Sequence, residues 1–154
     1  DGSSVAILGE ISGKGGDLLA LATSTDGGKT LREVARVPRR QKLGLAPPTL
    51  VNGAVTVLAE DSGGRLAGVL VWPTGAAEPR LQAFARTAED ACLHGAHVAA
   101  RFGKGDWGMS VDHGATFTMI PAPESAAATD FPPPLSCSGD GVRSGAQLMA
   151  WPTR

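Results

Sequence analysis

The sequence predicts an all-β protein. Its 154 residues include 21 glycines and 11 prolines, and no stretch carries the long 3.6-residue apolar period of an amphipathic helix. Apolar runs of strand length alternate with turns rich in Gly, Asp and Pro, which is the pattern of short antiparallel strands. One eight-residue turn sequence occurs twice, and this repeat indicates that the strands are arranged in similar units.

The repeated octet lies at 24–31 and again at 110–117. Both copies read S-x-D-x-G-x-T followed by Leu31 or Phe117, which can turn inward to pack. The Asp carboxylate accepts hydrogen bonds from nearby backbone N–H groups, the Gly tolerates positive φ, and the flanking hydroxyls can close the hairpin. We therefore predict a structural role for eight residues, which are Ser24, Asp26, Gly28, Thr30, Ser110, Asp112, Gly114 and Thr116.

This octet resembles the Asp box, also called the BNR repeat, of sialidases, sortilin-type receptor domains and many secreted bacterial β-propellers. In that family the box joins the third and fourth strands of a propeller blade and is structural. The resemblance implies a sialidase-like or sortilin-like propeller fold and names no function. Both copies depart from the family pattern at the last position, where the family prefers Trp and this chain has Leu31 and Phe117.

The first half of the chain predicts two units separated by a loop. The loop at 39–48 has basic and proline character, and Asn52-Gly53 is a two-residue hairpin signal. Where the second unit would carry an octet stands Trp72-Pro73-Thr74. The predicted strands are 5–11, 18–23, 31–37, 54–59, 66–72 and 81–85, with turns at 13–16 and 61–64.

The second half repeats this plan. The third unit begins at Cys92 and has strands at 96–102, 107–110 and 118–120, with a turn at 103–105. A Pro- and Ala-rich connector follows at 122–134. The fourth unit is predicted to begin near 135–137, to turn within 139–145 and to end at 148–153.

A longer period emerges when the units are aligned. Asp61 to Trp72 and Asp140 to Trp151 have the same spacing, and each ends in Trp-Pro-Thr, so octet units and Trp-Pro-Thr units alternate. Units of roughly 35 to 45 residues built from four short strands indicate a β-propeller. We predict about four blades of four-stranded antiparallel sheets, approximately at 1–38, 48–86, 90–121 and 132–154.

The terminal blades are predicted to be incomplete. The chain begins on what should be a second strand and stops on what should be a third. Such blades would leave open edges unpaired. We therefore expect a protein partner, a further chain segment or a symmetry mate to complete the propeller.

Charge and hydropathy exclude several classes of partner. The formal charge is −1, and basic residues cluster only at Arg39-Arg40 and Lys42, so nucleic acid is not expected to bind. The apolar runs are far shorter than the roughly 20 residues that cross a bilayer. We expect a soluble chain that does not insert into a membrane, and no signal segment is recognised.

Cys92 and Cys137 are the only cysteines. They are compatible with one disulfide between the inner strands of successive units, and also with two buried free thiols. A bond requires Cα atoms within about 7 Å. It would also place maturation outside the cytosol, so a secreted or periplasmic location is predicted.

Catalysis is not expected. A sialidase site uses a Tyr nucleophile paired with a Glu, an Asp acid/base and three Arg residues that bind the substrate carboxylate. This chain has no Tyr, and Val37-Pro38-Arg39-Arg40 only echoes the Arg-Ile-Pro signature of that family. We therefore predict a noncatalytic chain with no cofactor.

The acids and histidines favour no metal site, because the octets account for Asp26 and Asp112 and no loop spaces oxygen atoms as a calcium site does. His94 and His97 would face opposite sides of a strand, and Gly95 between them indicates a turn. Solvated positions are expected for His113 and for four acids in turns or connectors, Glu60, Asp61, Glu89 and Asp90.

Five side chains are candidate ligand contacts. Trp72, Trp107 and Trp151 could stack on sugar rings, or their similar strand positions could serve packing between neighbouring sheets. Arg39 and Arg40 lie in the loop between units, where they could bind an acid group of a partner or be solvated. Both interpretations stay open for each group.

The sequence favours a noncatalytic extracytoplasmic scaffold for binding or assembly, and its Ala, Gly, Arg and Pro bias suggests a bacterial protein. Two alternatives stay open. One is a glycan-binding, sialidase-like propeller whose active site would lie outside this chain. The other is an accessory subunit of a larger membrane-associated complex, a role that propellers resembling the photosystem assembly factors have. Exposed tryptophans would favour the first, and a large apolar patch on an open blade edge the second.

Overall fold

A computed structural model describes residues 4–39, 42–44, 47–103, 106–122 and 132–152. These residues form antiparallel strands and no helix, which confirms the all-β prediction. They contain no helix of the length and apolarity that crossing a membrane requires. Four sheets follow one another along the chain, and none of them closes on itself.

The first sheet contains β1 (Val5–Ile11), β2 (Leu18–Ser24) and β3 (Arg32–Pro38). The second sheet contains β4 (Lys42–Leu43), β5 (Thr49–Val51), β6 (Ala54–Glu60), β7 (Leu66–Pro73) and β8 (Arg80–Ala88), and both β4 and β5 pair with β6. The third sheet contains β9 (Asp90–His94), β10 (His97–Arg101), β11 (Trp107–Ser110) and β12 (Thr118–Ile120). The fourth sheet contains β13 (Leu135–Ser138), β14 (Gly141–Ser144) and β15 (Gln147–Ala150).

The sheets pack in series, with a separate apolar core between each consecutive pair. Side chains alternate between the two faces of a strand, so β6 and β7 supply apolar residues to two cores at once. Those that face the first sheet are Val55, Val57, Leu70 and Trp72, and those that face the third sheet are Leu58, Val69 and Val71. This burial on both faces explains why these strands read as continuous apolar runs rather than as alternating ones.

Several predicted turns are confirmed in detail. Asn52 and Gly53 both have positive φ, 51° and 73°, which is the backbone of a two-residue hairpin turn matched to strand twist. Asp61 closes the next turn, since its Oδ1 accepts hydrogen bonds from the N–H groups of Gly63 and Arg65 at 2.8 and 3.0 Å. The bounds predicted for β1, β11 and β12 agree with the structure.

Two short strands lie in segments predicted as a turn and as a loop. The turn predicted within 139–145 contains the strand β14, because the two short turns at 139–140 and 145–146 bracket four residues that pair on both sides. The loop predicted at 39–48 contains β4, where Lys42 pairs with Glu60. The two Trp-Pro-Thr sequences do lie at equivalent places, at the end of the third strand of their units, β7 and β15. Only the Asp positions differ, since Asp61 follows the second strand of its unit and Asp140 follows the first.

Some predicted features lie wholly or partly outside the described residues. They are the start of the first unit at 1–3, the turn at 103–105, the connector at 122–134 and Thr153 of the second Trp-Pro-Thr sequence.

Candidate functional site

The first octet forms the predicted hydrogen-bonded turn between β2 and β3. Asp26 Oδ1 accepts bonds from the Ser24 hydroxyl at 2.6 Å and from the Thr30 N–H at 2.9 Å, and its Oδ2 accepts the Thr30 hydroxyl at 2.6 Å. Ser24 Oγ in turn accepts the N–H groups of Asp26 and Gly28 at 3.2 and 2.9 Å. Both carboxylate oxygens are therefore used within the turn.

The second octet, between β11 and β12, repeats all five bonds. Asp112 Oδ1 accepts the Ser110 hydroxyl at 2.7 Å and the Thr116 N–H at 2.9 Å, and Oδ2 accepts the Thr116 hydroxyl at 2.6 Å. Ser110 Oγ accepts the N–H groups of Asp112 and Gly114 at 3.2 and 2.8 Å. Two turns distant in the sequence thus share one local geometry.

These bonds keep both octet carboxylates ionised. Hydrogen bonds from the Ser24 hydroxyl and then from Thr30 lower the pKa of Asp26 from 3.8 to about 2. Burial raises the pKa of Asp112, but hydrogen bonds from Ser110 and Thr116 outweigh it and also bring this pKa to about 2. A carboxylate with so low a pKa and with both oxygens engaged is poorly suited to donate or accept a proton in catalysis.

The octets differ at their last residue. Phe117 packs edge-to-face on Phe84 and Phe102, with ring centroids 5.3 and 5.0 Å apart. Leu31 at the equivalent position is 50% exposed, so the inward packing expected there is wrong. The second octet is therefore fixed to the second sheet through Phe84, whereas the first octet projects into solvent.

All three histidines lie near the turn between β9 and β10. His94 and His97 are directly paired across this hairpin, so they lie on the same face of the sheet and do not face opposite sides. The turn between them includes Gly95, as predicted, with φ of 61°. The backbone N–H of His113 donates to Ala96 O at 2.8 Å, and its imidazole is half-buried rather than solvated. Among the described residues, no group of three or more His, Cys, Asp or Glu side chains is placed to hold a metal ion.

The pKa of the His113 imidazole is lowered. Burial is the main cause, because it disfavours the charged form, and the positive charge of Arg80 acts in the same direction. His97 lowers it further, whereas the negative charge of Asp112 opposes the shift. His113 is therefore neutral at neutral pH.

The tryptophans occupy two kinds of position. Trp72 and Trp107 are each 1% exposed and belong to the cores between sheets, which agrees with the packing interpretation. Trp151 is half-buried, with its indole stacked on His97 at 4.9 Å and its Nε1–H donated to Ser138 O at 2.8 Å. No local sequence pattern indicates this His97–Trp151 stack, because the two residues are far apart in the chain.

Arg39 is bound within its own sheet. Its guanidinium donates to Glu10 at 2.7 Å and also to Asp17, an arrangement that neither sequence interpretation included. Lys42 pairs with Glu60 at 2.9 Å. Arg40 lies outside the described residues.

Sequence reasoning missed two polar side chains, of which the first joins two sheets and the second lies within the third sheet. Asp90, expected to be solvated, accepts the Leu135 N–H at 3.0 Å and so connects β9 to β13. Arg101 is only 12% exposed and lies 3.7 Å from Asp90 and 3.9 Å from Glu89, above the ring of Trp107. Within the described part of the chain, Arg101 Nε and Nη1 have no hydrogen-bond partner.

Cys92 and Cys137 form a disulfide, with Cα atoms 5.4 Å apart. The bond joins β9 to β13, which are the first strands of the third and fourth sheets. The prediction of one disulfide between successive units is confirmed, and the alternative of two free thiols is wrong. The bond is consistent with an extracellular or periplasmic location.

No family model matches the chain, and no curated protein matches it significantly.

Proposed function

We propose that this chain is a noncatalytic Asp-box β-propeller segment that serves as an extracytoplasmic scaffold for binding or assembly. The observation that carries the proposal is the pair of octets with identical hydrogen bonds, each joining the last two strands of its sheet. Sheets that pack in series through separate cores are the arrangement expected of successive blades. The disulfide between first strands supports an oxidising compartment.

An open apolar face on the first sheet supports assembly. Ala6 and Leu8 pack inward against the second sheet, whereas Ile7, Ile11 and Val34 on the other face are 46%, 39% and 40% exposed. Exposed apolar clusters of this kind on a sheet indicate a surface that another protein covers. This same face favours the second candidate function, an accessory subunit of a larger membrane-associated complex.

The glycan-binding alternative receives less support. Trp72 and Trp107 are enclosed between sheets, so their rings offer no free face for a sugar. Trp151 already stacks on His97. Both octet carboxylates are engaged in their own turns.

The proposal is tested by the intact mass of the purified protein under native and under denaturing, non-reducing conditions. For the 154-residue chain, we expect a native mass larger than the 15.6 kDa of a single copy. Ile7→Lys should lower the native mass toward that of one chain, because it places a charge on the open face. Met119→Lys is the matched control, since Met119 is exposed but lies on β12 of the third sheet.

A single native species of 15.6 kDa at high protein concentration would contradict self-assembly of this segment. An equal decrease of the native mass in Ile7→Lys and Met119→Lys would show that the open face of the first sheet is not the surface through which the chains assemble.

A further inference from the structure

Two grooves with similar linings lie between neighbouring sheets, one between the first and second sheets and one between the third and fourth. The octet strands form one wall of each. In the first groove this wall includes Leu19 of β2 and Val37-Pro38 of β3. In the second it includes Met109 of β11 and Ile120-Pro121 of β12.

The first groove is largely filled by a fourth strand. Its opposite wall consists of Leu70 on β7, Leu81 on β8 and Pro79, which directly precedes β8. β8 pairs with β7, and Leu70 is opposite Leu81 in the register. The remaining cavity has a volume of about 150 Å³.

The second groove has no such strand within the part of the chain that the structure describes. Its opposite wall is β15 itself, with Gln147, Met149 and Ala150. β15 pairs with β14 on one side only, so its other edge has backbone N–H and C=O groups directed into the open space. The cavity volume is about 490 Å³, more than three times that of the first groove, and none of the described residues that line it is charged.

We propose that this groove, which we call the β15 groove, binds an extended peptide segment of a partner protein by strand addition. The segment pairs antiparallel with β15, as β8 pairs with β7, and places an aliphatic side chain where Leu81 lies in the first groove. Backbone pairing supplies affinity and the apolar pocket supplies selectivity for that side chain. The groove continues the core between the third and fourth sheets, since Ile120 and Met149 already pack there.

This inference rests on the scaffold function proposed above and names the class of partner. It concerns the edge of the fourth sheet and not the open face of the first sheet. A partner of this kind needs no charge, because specificity lies in the strand conformation and in one aliphatic residue.

The test uses a synthetic peptide with the sequence of residues 78–86, which is the segment that fills the first groove. We expect saturable chemical-shift changes in the amides of β15 and β12 of the whole protein, and slower hydrogen exchange for the β15 amides that face away from β14. A peptide with Leu81→Asp should bind about tenfold more weakly or not at all, since it places a charge in an apolar pocket.

Two matched protein variants locate the site. Gln147→Glu introduces a carboxylate on the exposed groove side of β15 and should lower the affinity for the peptide by about tenfold. Ser136→Glu introduces the same group on the exposed part of β13, at the opposite edge of the same sheet, and should leave binding unchanged. Unchanged spectra away from the substitutions establish that both variants are folded.

Absence of saturable shifts at millimolar peptide, or equal binding by the Leu81→Asp peptide, would overturn the inference. Equal weakening by Ser136→Glu and Gln147→Glu would also overturn it, since the groove would not be the binding site. The native mass of the same sample tests the scaffold function separately. A large native mass without peptide binding contradicts only the strand-addition site.

Discussion

The octet glycine has nearly the same backbone angle in both turns, with φ of 87° at Gly28 and 82° at Gly114, but its surroundings differ. A Cβ at Gly28 would meet only Val5, at 3.9 Å. A Cβ at Gly114 would lie 2.4 Å from Phe84 Cε1, too close for any side chain to be accepted without movement of that ring. Substitution of this glycine is therefore opposed by backbone conformation alone at Gly28, and by both backbone conformation and packing at Gly114.

We expect Gly28→Ala to lower the free energy of unfolding by about 1 kcal/mol, the cost of a left-handed backbone for a residue with a Cβ. Gly114→Ala should cost about 3 kcal/mol, because overpacking against Phe84 is added. Urea denaturation of the two variants measures the difference. Equal losses of unfolding free energy in the two variants would contradict the packing explanation. Gly103→Ala is the control, because a Cβ at Gly103 would meet no atom within 4 Å and its φ is not positive.

The octet carboxylates predict a specific loss of stability in acid. Their folded pKa of about 2 is below the ordinary value of 3.8, so the stabilisation is complete above pH 3.8 and is lost as the pH falls toward 2. Thermal unfolding of the protein between pH 5 and 2 should show this fall. In the double variant Asp26→Asn/Asp112→Asn we expect a lower melting temperature at pH 5 and a smaller decrease in acid.

The outcome that would contradict this prediction is an equal decrease in the protein and in the double variant, since other acids would then be responsible. Asp140→Asn provides the control, because Asp140 is an exposed acid in the turn that precedes β14.

At the scale of elements, the connection between β9 and β13 joins the fourth sheet to the rest of the chain. It combines the Cys92–Cys137 disulfide with the Asp90 carboxylate, which accepts the N–H of Leu135. Val142 of β14 is buried in the core beneath these strands. Three short strands with one packed face have little independent stability, so covalent attachment matters most for this sheet.

Removing the disulfide with Cys92→Ala/Cys137→Ala should destabilise the protein by about 2–4 kcal/mol, because the bond closes a loop with a sequence separation of 45 residues. Urea denaturation measures the loss, and hydrogen exchange should show that β13 to β15 lose protection first. Dithiothreitol should reproduce the effect in the unsubstituted protein and have no effect on the double variant. An unchanged urea midpoint would contradict the prediction.

At the scale of the whole molecule, burial is distributed along the series of sheets. The second and third sheets are covered on both faces, so β6, β7 and β10 contain fully buried residues such as Val55, Val69 and Val98. The first and fourth sheets are covered on one face only, and Ile7 and Leu148 on their outer faces are 46% and 47% exposed. Stability should therefore decrease from the middle of the stack to its ends.

Hydrogen exchange monitored at single amides should show this gradient. We expect the slowest exchange in β6, β7 and β10 and the fastest in β1 and β15, because local opening exposes least apolar surface at the ends. The measurement is made on Ile7→Lys, in which the open face is kept free of a second molecule. Uniform protection across all four sheets would contradict a series of separate cores.

Local sequence patterns were sufficient to predict the turns and several strand bounds. The strand bounds of β1, β11 and β12 and the Asn52-Gly53 turn were predictable, because apolar period and turn chemistry act within a few residues. The five hydrogen bonds of each octet were predictable in kind for the same reason, since all their donors and acceptors lie within eight residues of each other.

The packing of the sheets against one another determines which residues meet across them. Residues far apart in the chain meet in the disulfide, in the Asp90–Leu135 bond and in the His97–Trp151 stack, and no local pattern encodes such pairs. The burial of Trp107 likewise depends on a neighbouring sheet. β14 was predicted as a turn because it is short and lies between glycines, and it is a strand because β13 and β15 both pair with it. Local sequence sets the conformation that each segment prefers, whereas the packing of neighbouring sheets determines its partners.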